Sequence, residues 1–229
     1  MVNSLCKAAL LVFFALSFAG CGDSPADSED ASSNKQEKQK DVSGAASGTT
    51  TDATDGKVKK SAKPVVVIET SLGDISVELE PEKTPLTVSN FLDYVDSGFY
   101  DQTIFHQVMP AYAILGGSYT ADLKEKETQT TVRNEADAGL ANTRGTIAMA
   151  RLPETIDSAT SQFFINLVDN PDLDHKGRDA AEYGYCAFGR VVKGMDVADK
   201  ISKVKVENSG EFQQKPVEAV VIKRIRRAK

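Results

Sequence analysis

Apolar and polar positions change rhythm several times along this chain, and each change predicts an element. Val65–Thr70 is a dense β-branched run, and Ile75, Val77 and Leu79 then alternate with polar partners. A period of two marks strands with one face toward a core. Ser71-Leu72-Gly73 between the two runs reads as a tight hairpin turn. The rhythm then switches to 3.6. Val88, Phe91, Leu92 and Val95 fall at i, i+3, i+4 and i+7, the single apolar stripe of a helix. Thr84 reads as its N-cap, Pro85 as its first residue and Gly98 as its stop.

The stretch from Phe99 to Gly117, FYDQTIFHQVMPAYAILGG, is the centre of the pattern. Two β-type runs, Thr103–Met109 and Tyr112–Leu115, are broken by Pro110-Ala111 and closed by Gly116-Gly117. Apolar and polar residues roughly alternate from Ile104 to Val108, so one side should face a core and the other a groove. Gly145–Leu152 and Ser161–Val168 repeat the style, and the three segments are expected to wall one site that gathers His106, Gln107 and Tyr112. Phe163 and Phe164 must point to opposite faces, so only one of them can line a groove. Tyr119–Gly139 reads as a polar loop with a short strand at Gln129–Arg133, and residues 170–184 as a long polar loop. Ala187–Val192 is a strand, Gly194–Ile201 a short helix and Val217–Ile225 a last strand. Many short strands and few helices argue for a closed antiparallel β-barrel or a sandwich, and patterning alone leaves both open.

The N-terminal part behaves differently. Residues 1–20 carry Lys7 and an apolar run, Ala8–Ala19, ending in small residues. The run is shorter than the roughly 20 residues that span a bilayer and has the layout of a secretory signal. Phe18-Ala19-Gly20-Cys21 resembles the lipobox of bacterial lipoproteins, which implies lipidation of Cys21. Phe18 departs from the usual leucine, and the alternative is ordinary signal cleavage with Cys21 a spare thiol. Residues 21–63 are rich in Ser, Asp, Gly, Thr and Lys, a composition expected to form a disordered linker. A coil of about 40 residues reaches about 35 Å, enough to hold a domain clear of a membrane while tethering it. Residues 64–229 are then one domain.

Charge and chemistry narrow the function. The formal net charge is −6, so the basic ending Lys223-Arg224-Ile225-Arg226-Arg227 is read as strand charge that deters edge pairing, not as a nucleic-acid site. The two histidines, His106 and His175, are far apart and lack ligand spacing, so no metal site is expected. No phosphate loop, GxSxG elbow or dinucleotide fingerprint occurs, so no cofactor is expected. Cys186 lies in an apolar strand and reads as a small buried hydrophobe.

FYDQTIFHQV, ILGG, NEADAGLANTRGTIAMAR, SQFFIN and YGYCAFGRVVKGMDVADKI resemble the cyclophilin-type peptidyl-prolyl cis-trans isomerases, especially the bacterial ones, over roughly residues 63–227. The resemblance implies a closed eight-stranded antiparallel β-barrel capped by two helices. It also implies a groove for X-Pro peptides. Gln107 stands where the family has its catalytic arginine, directly after His106. Tyr112 stands for a pocket phenylalanine, Ala113 for a methionine and Leu115 for a glutamine that orients the arginine. Gln162, Phe164 and Leu173 match the family pattern, and Tyr185 matches its bacterial form. Asp172 falls where many relatives carry an aromatic residue. Ala150, Arg151 and Leu152 would offer the backbone edge along which a peptide lies.

Prolyl isomerisation needs no covalent step, because the barrier of about 18–20 kcal/mol is lost amide resonance. A catalyst favours the twisted amide by seating the ring in an apolar pocket and aiming a donor at the prolyl nitrogen. His106 has a competing reading as a structural histidine, and Gln107 as a plain groove residue. The expectation is a monomeric, exported isomerase, lipid-anchored on the periplasmic or cell-surface side. It would act on X-Pro segments of unfolded or exported proteins, with activity reduced at Gln107. The alternative is a catalytically weak proline-peptide binding or chaperone module. A third reading is a scaffold presenting surface loops.

Overall fold

The computed structural model describes residues 63–228, and the expected signal, Cys21 and the linker lie outside them. Eight strands close into a barrel: β1 (Val65–Thr70), β2 (Gly73–Leu79), β3 (Thr103–Met109), β4 (Ala113–Thr120), β5 (Thr146–Met149), β6 (Phe163–Asn166), β7 (Ala187–Lys193) and β10 (Val220–Arg227). Their order round the barrel is β1-β10-β3-β4-β6-β5-β7-β2, and every pairing is antiparallel. Two helices, α1 (Pro85–Asp96) and α2 (Met195–Ile201), accompany it. The barrel resolves the choice that patterning left open. A hairpin of β8 (Val206–Ser209) and β9 (Phe212–Pro216) forms a separate two-stranded sheet that the sequence reading missed. The strand expected at Gln129–Arg133 is only an isolated bridge, Val132 to Ala159, because the polar residues around it offer no apolar face to bury.

Alternation places the core. Val66, Ile68, Ile75, Val77 and Leu79 point inward and are fully buried, with Thr70 ending the β1 series at the turn. Ser71 and Leu72 form the tip of that hairpin, where the Thr70 hydroxyl donates to the Gly73 carbonyl at 2.6 Å. The predicted stripe of α1 is buried, and Phe91 lies 5.1 Å from Phe188, 5.3 Å from Tyr100 and 5.8 Å from Phe163, ring centre to ring centre. Burying rings of this size contributes about 1.5–3 kcal/mol each.

The start of α1 is capped differently from the sequence expectation. Thr84 makes no side-chain cap; its hydroxyl donates to Glu80 O instead. Glu135 reaches in from the loop that follows β4 and accepts from Leu86 N at 3.2 Å and from Thr87 N and Oγ1 at 2.8 Å. A carboxylate on those free N–H groups also complements the positive end of the helix. This cap, 48 residues away in sequence from Thr87, ties the helix to the polar loop.

Candidate active site

Five strands lay their outward faces side by side, and one row of residues runs straight across them. Gln107 on β3 pairs with Leu115 on β4, Leu115 with Phe164 on β6, Phe164 with Ala148 on β5, and Ala148 with Ala187 on β7. Directly opposed residues stand about 4.5–5.5 Å apart at Cβ, so this row is a continuous surface. Ala113, Leu115, Ala148, Ala150, Phe164, Leu173, Tyr185 and Ala187 form one apolar cluster there, with Met109, Tyr112 and Leu140 packed on its margin. It is separate from the barrel core. Phe163 faces that core and Phe164 faces this cluster, as the alternation required.

Gln107 is the polar member of the row. It is half-buried, and among the described residues its carboxamide has no hydrogen-bond partner. Leu115 beside it is fully buried. Here the simple alternation expected for β3 fails. Phe105 pairs with Gly116 and Gln107 with Leu115, so His106 is one extra residue, a β-bulge. The bulge lets Phe105 and Val108 both point into the barrel while Gln107 joins the groove row.

His106 is not brought into the groove cluster. It is buried, its ring 4.8 Å from Tyr119 and 6.2 Å from Phe212, and its Nδ1 has no hydrogen-bond partner among the described residues. Burial holds its imidazole down to about 3 from the ordinary 6.5, so it is neutral near pH 7. The structural reading of His106 fits this placement, and the proton-handling one does not.

Tyr112 follows a turn in which its N–H donates to Met109 O at 3.1 Å. Pro110 and Ala111 are the turn's central residues, and Ala111 sits at φ 56°, where a β-carbon is crowded. Burial first, then the charges of Tyr185 and Asp172, push the Tyr112 phenol up to about 12. It therefore stays protonated, an apolar wall with a neutral hydroxyl. Asp172 itself is exposed at the tip of a 3-10 helix, Pro171–Leu173, and pairs with Lys176 at 3.0 Å.

Opposite stands a second wall. The Tyr185 ring meets Phe164 edge-on at 5.8 Å, and the Arg151 guanidinium lies 4.9 Å from the Tyr185 ring centre. Burial raises the Tyr185 phenol, opposed by Arg151. Arg151 donates to the carbonyls of Gly184, Leu152, Pro153 and Ala180 at 2.6–2.9 Å, so its charge is spent inside the protein. On the 150–152 edge, Ala150 N already donates to Gln162 O and Leu152 N to Ser158 Oγ. Gln162 is half-buried beside this edge.

Three buried asparagines join the walls from beneath, and sequence reasoning passed them over. Asn142 Nδ2 donates to Leu173 O and Tyr185 O, both at 3.1 Å. Asn166 Nδ2 donates to Asn142 Oδ1 at 3.2 Å and Thr146 Oγ1 at 2.9 Å. Asn170 Nδ2 donates to Asn166 Oδ1 at 2.7 Å and Tyr112 O at 3.2 Å. The relay thus reaches Tyr112, Leu173 and Tyr185. Its one sequence signal was an amide, Asn166, ending the apolar run FFI. Cys186 next to Tyr185 is buried, and burial pushes its thiol up to about 12, which removes it as a nucleophile.

Comparison with known proteins agrees with this geometry. The family described as cyclophilin type peptidyl-prolyl cis-trans isomerase/CLD matches residues 65–227. Peptidyl-prolyl cis-trans isomerase A of Dickeya dadantii is 55% identical over 157 residues, covering 69% of this chain and 80% of that protein. Peptidyl-prolyl cis-trans isomerase B of Escherichia coli is 47% identical over 161 residues, covering 70% of this chain and 98% of that protein. A Cryptosporidium parvum cyclophilin type peptidyl-prolyl cis-trans isomerase, crystallised in the presence of the dipeptide Ala-Pro, has a TM-score of 0.59 at 25% identity, covering 72% of this chain and 99% of that one. With the family matched across the whole barrel and the outward groove in place, this chain belongs to the cyclophilin-type peptidyl-prolyl cis-trans isomerases.

Proposed function

We propose that this isomerase acts on X-Pro segments of exported proteins, as a monomer held to a membrane through Cys21, with turnover reduced because Gln107 is its donor. The observation that supports the site is the cross-strand row, in which one polar side chain without a partner stands against an apolar surface. A proline ring seated on Ala113, Phe164 and Leu173 leaves its nitrogen toward the Gln107 side. As the amide twists, that nitrogen regains its lone pair, and an N–H donor there favours the twisted form over both planar ones. Tyr112 and Tyr185, both protonated, close the two sides and keep water off.

A carboxamide is a weaker donor than a guanidinium, which carries charge and a fixed fork of N–H groups. Losing that difference costs about 1.5–4 kcal/mol in the transition state, or roughly tenfold to a thousandfold in rate. Arg151 does not substitute, since four of its five N–H donors are already taken by carbonyls. The export and anchoring readings rest on the signal-like residues 1–20 and the Cys21 lipobox likeness.

The test is NMR exchange between cis and trans forms of a short X-Pro peptide, with wild type beside Gln107→Arg. Exchange in wild type that rises in the variant supports the reduced-donor reading. Equal exchange in both refutes a rate penalty at Gln107. Peptide binding without exchange in either favours the binding-module reading, for which the full burial of Leu115 is the specific observation. Membrane attachment is tested separately, because Cys21→Ala should move the protein to the soluble fraction.

A further inference from the structure

The groove donor depends on a bulge, and something outside the barrel fixes that bulge. Strand β3 carries one residue more than its partner between Phe105 and Gln107. A bulge of this kind leaves a choice: a one-residue slip would set His106 opposite Leu115 and turn Gln107 away from the groove. His106 Nδ1 does not anchor the bulge, because it is buried with no hydrogen-bond partner among the described residues. Phe105 and Val108 are seated in the barrel core on either side, and what takes the bulged residue between them is the slot around its ring.

One wall of that slot is Tyr119, on β4, within the same ladder. The other is Phe212, whose ring lies 6.2 Å from His106 and meets Tyr119 at 5.0 Å and 89°. Phe212 belongs to the β8–β9 hairpin, which shares no ladder with the barrel. The hairpin has fastenings of its own: Val217 N donates to Lys205 O at 2.9 Å, Gln214 N to Asn208 Oδ1 at 2.9 Å, and Lys215 pairs with Glu207 at 3.1 Å. Its strand β9 packs along β3, and so it brings Phe212 to His106 through side-chain packing and not through a shared ladder.

We propose that Phe212 is a positioning residue for Gln107: by closing the slot around His106, it selects the bulge register that presents the Gln107 carboxamide to the groove. The functional consequence rests on the reading of Gln107 as the donor, whereas the structural one does not. Phe212 touches no substrate in this account.

The test uses the full chain with Phe212→Ala, Phe212→Leu and Phe212→Tyr. The readouts are the side-chain amide resonances of Gln107 and the kcat and KM for an X-Pro peptide. In Phe212→Ala the Gln107 amide pair should shift or split, kcat should fall about tenfold or more, and KM should stay within about twofold. Phe212→Tyr, which keeps the ring, should restore both. Should Phe212→Ala fail to fold, Phe212→Leu is read in its place. Unmoved Gln107 amide resonances in a folded variant would overturn the proposal, as would a loss confined to KM. If wild type catalyses no exchange, the isomerase reading of this groove fails, and the amide resonances still decide the role of Phe212.

Discussion

Gln107 faces Leu115 directly across the β3–β4 ladder, and Leu115 in turn faces Phe164 across β4 and β6. Gln107, the proposed donor, and the apolar floor are thus separated by one fully buried leucine. That leucine decides how the donor can be changed. Leu115→Gln alone buries an amide beside Gln107, and each of its unpaired groups costs about 1–3 kcal/mol. With Gln107→Arg in place, the new carboxamide oxygen has a guanidinium partner directly opposite. A double-mutant cycle read from urea midpoints should give a favourable coupling of about 0.5–3 kcal/mol. The pair should also exceed Gln107→Arg alone in X-Pro exchange rate. Strictly additive stabilities would show that the two positions do not communicate.

His106 predicts an acid limb in stability. Its folded value of about 3 lies below the ordinary 6.5, so the unfolded chain binds the proton first. The contribution is complete above about pH 6.5 and drains as pH falls toward about 3, at about 1.4 kcal/mol per pH unit. Between pH 7 and pH 5 the loss is about 2 kcal/mol. Glu69, Asp96 and Asp122 have carboxyls held below the ordinary carboxylate range, first by Arg224, Arg227 and Lys124 respectively. The part of the pH 7 to 5 difference that belongs to the histidine is the part lost in a His106 variant. His106→Phe, which keeps a ring in the slot and removes the orphaned nitrogen, should flatten it. An unchanged difference in urea midpoints would place the acid sensitivity elsewhere.

Ala111 stores strain in the turn before Tyr112. Its φ of 56° is unfavourable for any residue with a β-carbon by about 1–2 kcal/mol. Glycine removes that cost and adds back about 0.4–1 kcal/mol of unfolded-state entropy. Ala111→Gly should therefore stabilise by about 0.5–1 kcal/mol, seen as a rise of about 2–4 °C in Tm for each kcal/mol. The side chain is exposed, so no packing is lost. A lower Tm would mean that glycine frees the turn more than it relaxes it.

How far the sequence led depended on whether a feature was local. The β1–β2 hairpin and the α1 stripe were readable because period and turn chemistry are contiguous in the chain, and the split between Phe163 and Phe164 followed from pleat alone. Which way His106 faces was not readable for the opposite reason. A bulge breaks the period of two at one residue, and only the pairing partner, Gly116 or Leu115, reveals it. The hairpin Val206–Pro216 was missed because its strands show little apolar alternation, Phe212 being its one aromatic. Glu135 could not be read as a helix cap, since its partners lie 48 and 49 residues away. Closure of the barrel came from family likeness, because an alternating strand looks the same in a sandwich.

The asparagine relay carries the last prediction. Asn166 accepts from Asn170 and donates to Asn142 and Thr146, so it links the Tyr112 side of the groove to the Leu173 and Tyr185 side through side-chain amides, beside the backbone bonds from Asn170 N to Asn142 O at 2.8 Å and from Leu173 N to Asn170 O at 3.0 Å. All three asparagines are buried, where an orphaned polar group costs about 1–3 kcal/mol. Asn166→Ala strands an acceptor on Asn142 and a donor on Asn170, and should cost about 2–5 kcal/mol in all. Asn170→Ala made on top of it should then cost less than it does in wild type, since its best acceptor is already gone. Affinity for an X-Pro peptide should fall in Asn166→Ala even where the domain stays folded, because the two walls then keep only the backbone ties of Asn170 to Asn142 and Leu173. Additive stabilities together with unchanged peptide affinity would reduce the relay to three separate structural amides.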